Sequence, residues 1–203
     1  MANINAPFGL APVRTVGGTW SQQVSTYYIV STDPNAYYIG DAVLSAASGD
    51  ANGVPGVIKS TTGTDVLRGV FVGAYPANWN PVSLQGVALA LENTYIPATK
   101  TRDYYVMVVD DPNVVFAIQG DATATNQVAA NCNKNFSLTV AAGATTTSTS
   151  GTVVNSGSIN TTNSLNMKLM GLQQIPGNGY GAYAKWLCKI NLHELSAFGA
   201  TGV

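Results

Sequence analysis

Charged residues are scarce in this chain. Of 203 residues only 9% are charged, and nine basic side chains nearly balance ten acidic ones. Soluble domains usually carry about 25% charged residues, so this surface must consist largely of Ser, Thr, Asn, Gln and Gly. No basic stripe is available to neutralise phosphates, and we therefore expect no nucleic-acid partner. A nearly neutral surface favours association with copies of the chain or with another protein.

Long apolar runs and targeting signals are also missing. No apolar run approaches the roughly 18 residues that a membrane helix needs, so no membrane partner is expected. The opening MANINAPFGLAPV lacks the basic region and apolar core of a secretory signal, which predicts synthesis in a reducing cytoplasm. Cys132 and Cys188 match no metal or redox spacing, and we interpret them as buried free thiols, with a disulfide as the alternative.

Catalytic motifs are equally sparse. His193 is the only histidine, and it lies on the polar face of a predicted strand, where a solvent-facing or hydrogen-bonded imidazole is the ordinary interpretation. No HExxH or CxxC motif is present for zinc. The glycine-rich GNGYGAY at 177–183 precedes a strand and not a helix, which favours a turn over a phosphate loop. We expect no enzymatic activity, no cofactor and no metal.

Short β-branched and aromatic runs recur between Gly, Pro, Asn and Asp, whereas helical periodicity is nearly absent. This pattern predicts an all-β sandwich or barrel. In 182–193, period-two alternation predicts a core face with Trp186 and Cys188, and in 164–172 one with Met167 and Leu169. Strands are predicted at 25–30, 36–44, 54–59, 66–74, 84–91, 104–109, 114–119, 136–141, 152–155, 164–172 and 182–193.

The run YYVMVV at 104–109 is apolar on both faces, as expected of a central strand covered on both sides. DDPN follows it, with the adjacent carboxylates Asp110 and Asp111, and Asp121 closes the same stretch. A catalytic or metal-binding cluster is one interpretation, but Asp-Pro-Asn is favourable type I turn chemistry and recurs at 33–35. The alternating ligands of a calcium loop are missing. We therefore predict a hairpin corner.

Residues 1–24 show little strand pattern and contain Pro7 and Pro12. Because proline fixes φ and removes a backbone donor, we predict an extended arm that is not a sheet member. Its apolar anchors would be Phe8, Leu10 and Val13.

Residues 25–203 are predicted to form the all-β domain, either as one unit or as two small units that meet near residue 100. Within it, the Ser/Thr/Gly-rich residues 143–164 predict a long loop or loose hairpin. Disorder is the alternative both for this loop and for the arm. Trp20, Trp79 and the pairs Tyr27/Tyr28 and Tyr37/Tyr38 could stack on sugars, although a core or subunit-interface role is favoured.

The opening MANINAPFGLAPVRTVGG resembles the start of the capsid decoration (cement) proteins and related minor virion proteins of tailed bacteriophages. In that family an APFGL tract followed by Pro, Val and Arg is common. Further stretches that fit are YYIGDAV at 37–43, GVPGVIKS at 53–60, LRGVFVGAYP at 67–76, VVDDPNVVFAIQGD at 108–121 and the terminal GNGYGAYAKWLCKINLHEL. The resemblance covers most of the chain.

The resemblance implies a structural virion protein on the outer surface of an expanded capsid, made in the cytoplasm of a bacterial host. Its partners would be the major capsid protein and itself, as a homotrimer that clamps neighbouring capsomers. The implied fold is a small β-barrel or β-tulip-like domain, with Gly40 and Asp41 as the turn into it. Ala11 departs from the family, where a basic residue is frequent. The residues that carry over as the capsid-binding arm are Ala6, Pro7, Phe8, Gly9, Leu10, Pro12, Val13 and Arg14.

Such an arm could add a strand to an exposed sheet edge of its partner, with avidity from the trimer. Two other functions stay open. One is a different phage structural part, such as a head-fibre base or a tail tube protein. The other is a carbohydrate-binding β-module that uses the tyrosines and tryptophans.

Overall fold

The protein is all-β, as its sequence predicts. The computed structural model describes residues 3–76, Trp79 and 95–196, so the predicted strand at 84–91 lies outside the described residues. In this part of the chain the helices are short 3-10 turns at Ala124–Asn126, Ala129–Asn131 and Ser156–Ser158. None of the helices there has the length and apolarity needed to span a membrane.

The strands are grouped in a closed barrel of order β3-β5-β4-β6-β7, a six-stranded sheet of order β2-β1-β8-β13-β12-β9, and a pair β10-β11. Barrel strands derive from Ser25–Val109, and the sheet takes strands from both sides of that interval. Their bounds are β1 (Ala11–Thr15), β2 (Gly18–Thr19), β3 (Ser25–Ile29), β4 (Ala42–Gly49), β5 (Pro55–Lys59), β6 (Gly69–Ala74), β7 (Tyr104–Val109), β8 (Val114–Gln119), β9 (Asn135–Phe136), β10 (Leu138–Thr139), β11 (Val153–Val154), β12 (Met167–Leu172) and β13 (Lys185–Ile190).

The barrel encloses an apolar core with large side chains such as Tyr27, Tyr37 and Phe71. Closure gives every barrel strand two neighbours, which removes exposed edges. Alternation along β6 places Phe71 inside the barrel, while Val70 points outward into the core of the sheet. The strand predicted at 36–44 begins only at Ala42, because a Tyr38–Asp41 turn, with Asp41 N donating to Tyr38 O at 3.0 Å, precedes it.

The sheet confirms the alternation predicted for the last strand. Trp186 and Cys188 are fully buried. The strand β8, which pairs with β13, is buried along its whole length. The alternation stops after Ile190, because the backbone N–H groups of Asn191 and Leu192 both donate to Asn166 O and the chain turns. His193 therefore becomes buried, although it was predicted on the polar face.

The sequence predicts that the strand at 104–109 is covered on both faces, but the structure shows this coverage for β8 instead. In β7, Tyr105 and Met107 are only half-buried, because they lie on the outer face of the barrel. The apolar run in the sequence does not show how far the outer face is covered, since aromatic side chains also suit partly exposed positions.

The prediction that residues 1–24 are not sheet members is wrong for β1 and β2. Strand β1 pairs with β8, from Ala11 opposite Ala117 to Thr15 opposite Val114. A register shift between Pro12 and Arg14 forms a bulge, which lets the strand continue past proline. Pairing with β1 satisfies the backbone groups along one edge of β8, and local sequence patterns do not reveal this pairing.

The DDPN turn is confirmed as a turn, but the predicted hairpin is wrong. Val114 N donates to Asp111 O at 3.1 Å, and Asn113 N donates to Asp111 Oδ1 at 2.8 Å. The turn joins β7 of the barrel to β8 of the sheet, so the chain passes from one to the other at this turn. Asp110 also accepts hydrogen bonds from Ser25 Oγ and Tyr27 Oη.

Residues 143–164 run mainly as a loop, as predicted, and contain one short strand, β11, which pairs with β10. The loop is fixed to the start of the barrel. Ile39 N donates to Ser148 O at 2.9 Å, and Ser150 N donates to Ile39 O at 2.8 Å.

Candidate binding surface at the N-terminal segment

Asn3 fixes the start of the described chain to the glycine-rich loop before β13. Its Nδ2 donates to Gly179 O and Ala182 O, both at 2.9 Å, and its Oδ1 accepts from Gly179 N at 3.1 Å. The GNGYGAY stretch is therefore a turn, as predicted, and it also holds the N-terminal segment. One side chain that bonds both backbone groups of Gly179 restricts the orientation of the loop strongly.

Gln119, the last residue of β8, holds the next part of the segment. Its side chain is fully buried; its Oε1 accepts from Ala6 N and its Nε2 donates to Asn5 Oδ1, both at 2.9 Å. These two bonds satisfy both ends of a buried amide, which would be costly to leave unpaired. The arm is thus seated on its own sheet through specific polar contacts.

Gly9 and Gly40 cross at van der Waals distance, so the APFGL and YYIGDAV stretches meet here. A Cβ on Gly9, whose φ is +70°, would lie 2.6 Å from Gly40 O, and one on Gly40, at φ +93°, would lie 2.6 Å from Phe8 O. Both positions need glycine for space and for backbone conformation. Leu10 N donates to Gly40 O at 2.9 Å, and the Leu10 side chain is buried in the sheet core.

Asp41, the residue after Gly40, stabilises the backbone around this crossing. Its carboxylate is fully buried and accepts from Lys59 Nζ at 2.7 Å, Tyr38 N at 2.8 Å and Ser150 Oγ at 2.5 Å. Ser150 belongs to the Ser/Thr/Gly-rich loop, and its Cβ is where a Cβ on Gly9 would collide. The barrel and the loop are therefore joined at this buried ion pair, and the N-terminal segment packs against both through Gly9.

The predicted arm residues separate into buried and exposed groups. Gly9 and Leu10 are buried and act in folding, whereas Ala6, Pro7, Val13 and Arg14 are exposed and Phe8 and Pro12 are half-buried. Val13 lies at the bulge in β1 and is 42% exposed, since a bulge redirects a side chain. Of the three predicted apolar anchors, Leu10 therefore contacts its own core and not a partner.

Outward-facing apolar side chains remain along this segment. Ile4 is 79% exposed, and Val16, in the turn between β1 and β2, is 50% exposed. A cleft of about 200 Å³ beside Ile4 is also lined by Ile175 and Lys185. The Lys185 ammonium lies 6.0 Å from the centre of the Phe8 ring. We name Ile4, Val13 and Val16 the N-terminal face.

His193 does not assemble a catalytic site in the described part of the chain. Its Nδ1 accepts from Leu195 N at 3.0 Å, so the proton resides on Nε2, which has no partner among the described residues. Burial lowers the pKa of His193 below its ordinary 6.5; the negative charge of Asp110 opposes this shift, and the positive charge of Arg68 acts in the same direction as burial. The imidazole is neutral at pH 7 and stabilises the C-terminal turn.

Acidification should destabilise the protein through His193. Because the folded-state pKa is depressed, the unfolded chain binds the proton more readily, so the contribution to stability is present above pH 6.5 and is lost as pH falls through the folded-state value. Denaturant unfolding from pH 6.5 to about 5 should show a slope approaching 1.4 kcal/mol per pH unit at most.

The variant His193→Gln should lack this slope. Asp50, Asp65 and Asp103 have pKa values lowered from 3.8, despite opposing burial, by hydrogen bonds from neighbouring side chains and backbone N–H groups, so their effects belong to a more acidic range. An unchanged slope in His193→Gln would assign the pH dependence to other groups.

The cysteines and several of the aromatic candidates lie in the two apolar cores or pack against them. Cys132 and Cys188 are free thiols, as predicted; Cys188 is buried and Cys132 half-buried. Tyr27 and Tyr37 lie in the barrel core, and Trp20 packs against the sheet core. Within residues 3–76, 79 and 95–196, no group of three or more His, Cys, Asp or Glu is placed to hold a metal ion.

Sequence reasoning missed Asn3, Asn5 and Gln119. Amide side chains are common in this chain, and their partners lie more than a hundred residues away, so no local signal marks them. No family model matches the chain, and no curated protein or solved structure matches it either. The resemblance to decoration proteins therefore stays a prediction.

Proposed function

We propose that this protein is a structural component of a bacteriophage virion that binds the outer surface of the capsid and clamps neighbouring capsomers. The observation that carries the proposal is the N-terminal face, which presents apolar side chains on a segment anchored by Asn3, by Asn5 and by the Gly9–Gly40 crossing. The low charge of the chain and the resemblance of its opening agree with this role.

The anchoring changes the expected mode of binding. Because β1 already pairs with β8 of its own sheet, capsid affinity would come from the outward side chains and not from strand addition by a free arm. A pre-ordered segment loses less conformational entropy on binding than a disordered one. The partner would be the major capsid protein, and a homotrimer would add avidity at local three-fold positions.

The proposal is tested by co-sedimentation of the full-length protein with empty, expanded capsids of its own phage. The triple variant Ile4→Asp/Val13→Asp/Val16→Asp should reduce saturable pelleting by more than about tenfold, because it removes apolar area from the contact. Deletion of residues 1–24 is unsuitable, because it would remove β1 from the sheet and Leu10 from the core.

Val66→Asp is the matched control, since Val66 has the same 50% exposure as Val16 but lies beside the barrel. This variant should pellet like the wild type, and circular dichroism should show that all variants are folded. Equal pelleting of the triple variant would move the contact elsewhere. Absence of pelleting by the wild type would reject the capsid role, and rings or tubes of purified protein would favour a tail-tube component.

A further inference from the structure

Four aromatic side chains cluster on the outer face of the barrel. Tyr75 and Trp79 stack with ring centres 4.2 Å apart and planes 17° apart. Tyr105 lies 5.1 Å from Trp79, and Tyr28 lies 5.8 Å from Tyr105, both in tilted arrangements. All four rings are half-buried and lie outside the apolar core of the barrel. Single exposed apolar residues are ordinary on protein surfaces, but these four adjacent rings form a continuous platform with accessible surface.

Two carboxylates border this platform. Tyr105 Oη donates to Asp50 Oδ2 at 2.5 Å, and Tyr28 Oη donates to Asp103 Oδ2 at 2.8 Å. Burial, followed by the bond to Asp103, raises the pKa of Tyr28 to about 12, and burial with the bond to Asp50 raises the pKa of Tyr105. The charges of both aspartates act on both tyrosines, so the platform lies in a negative potential.

The chain supplies no cation to these carboxylates in its described part. Asp50 and Asp103 form no ion pair there, and the sequence between Pro76 and Tyr95 contains no Lys or Arg. The basic residues of the barrel are engaged elsewhere: Lys59 with Asp41, Arg68 with Tyr27 and Glu194, Lys100 with Asp33, and Arg102 over the Tyr104 ring at 4.5 Å.

We infer that this aromatic–acidic face, formed by Tyr28, Tyr75, Trp79, Tyr105, Asp50 and Asp103, binds an arginine side chain of a partner protein. Cations are attracted to the faces of aromatic rings, and guanidinium is favoured because it is planar and weakly hydrated and stacks on such rings. The face shares no residue with the N-terminal face, so the inference goes beyond the proposed function and does not depend on it.

A neutral sugar would use the same rings but not the charge. The carboxylate oxygens already accept the two tyrosine hydroxyl groups, and Asp103 Oδ1 also accepts from Ser31 N at 2.7 Å. The negative potential is thus the main property of the carboxylates that a ligand can still use, and it favours a cation.

The test is titration of the full-length protein with a tetra-arginine peptide and with the uncharged tetra-citrulline peptide. Binding is followed by calorimetry and by the indole N–H resonance of Trp79. Tetra-arginine should bind saturably and move that resonance, and its binding should weaken with added salt. Tetra-citrulline should show none of these effects. Asp103→Asn should weaken tetra-arginine binding about fivefold, since it removes one of the two charges.

Asp65→Asn is the matched control, because Asp65 is also a hydrogen-bonded barrel carboxylate but is absent from the charges that act on Tyr28 and Tyr105. It should bind tetra-arginine like the wild type. Equal affinity for the two peptides, no saturable binding, or wild-type affinity in Asp103→Asn would overturn the inference. Saturable binding of maltohexaose without a response to arginine would assign the rings to sugar and overturn it as well.

Discussion

Replacing Asp41 with alanine is expected to lower the free energy of unfolding by about 3–5 kcal/mol. The substitution leaves Lys59, whose side chain is only 10% exposed, without its carboxylate. It also leaves Tyr38 N and Ser150 Oγ without an acceptor in a buried place. Urea unfolding followed by circular dichroism measures the loss, and the effect should exceed that of any single surface substitution.

Two further variants separate the causes of this loss. Asp65→Ala removes a carboxylate that accepts bonds from Ser60 and Thr62 at a partly exposed place, and should cost only about 1 kcal/mol. The double variant Asp41→Ala/Lys59→Met removes both charges and should recover part of the stability, because no buried charge is left unpaired. A double variant no more stable than Asp41→Ala would show that the unpaired ammonium is not the cause.

Trp186→Ala should cost about 3–5 kcal/mol as well, for a different reason. Trp186 is a fully buried side chain in the core of the six-stranded sheet, and its Nε1 donates to Gln127 Oε1 at 3.4 Å. Alanine would leave a cavity among rigid strands that cannot collapse to fill it. The measurement is again denaturant unfolding at neutral pH.

The neighbouring Leu187→Ala is the control, since Leu187 lies on the opposite face of the same strand and is only half-buried. It should cost less than about 2 kcal/mol. Similar losses in Trp186→Ala and Leu187→Ala would mean that the two faces of β13 are equally packed, contrary to the observed alternation.

Local chemistry explains which parts of the fold could be predicted. Alternation in β13 predicts the burial of Trp186, and Asp-Pro-Asn predicts the turn at 110–113, because both depend on neighbouring residues alone. Whether that turn closes a hairpin or joins two sheets depends on partners far along the chain. The burial of His193 likewise follows from where the hydrogen bonds with Asn166 end the strand.

The N-terminal segment shows the same limit at the candidate site. Pro7 lies in the irregular start that the sequence predicts, whereas Pro12 lies within β1. The pairing of β1 with β8 was not predictable, because a bulge after Pro12 makes it possible and the partner lies about 100 residues away. The anchoring amides Asn3 and Gln119 resemble the many surface amides of this chain until their partners are known.

That separation has a consequence for biosynthesis. Arg14 leaves the ribosome about 100 residues before Val115, its partner across the β1–β8 pair, which at bacterial rates is roughly 5–20 s. All barrel strands emerge within that interval, so the barrel has its complete set of partners while β1 still waits for β8. The N-terminal strand of the newly made chain therefore stays without its partner until β8, at the start of the second half, has been translated.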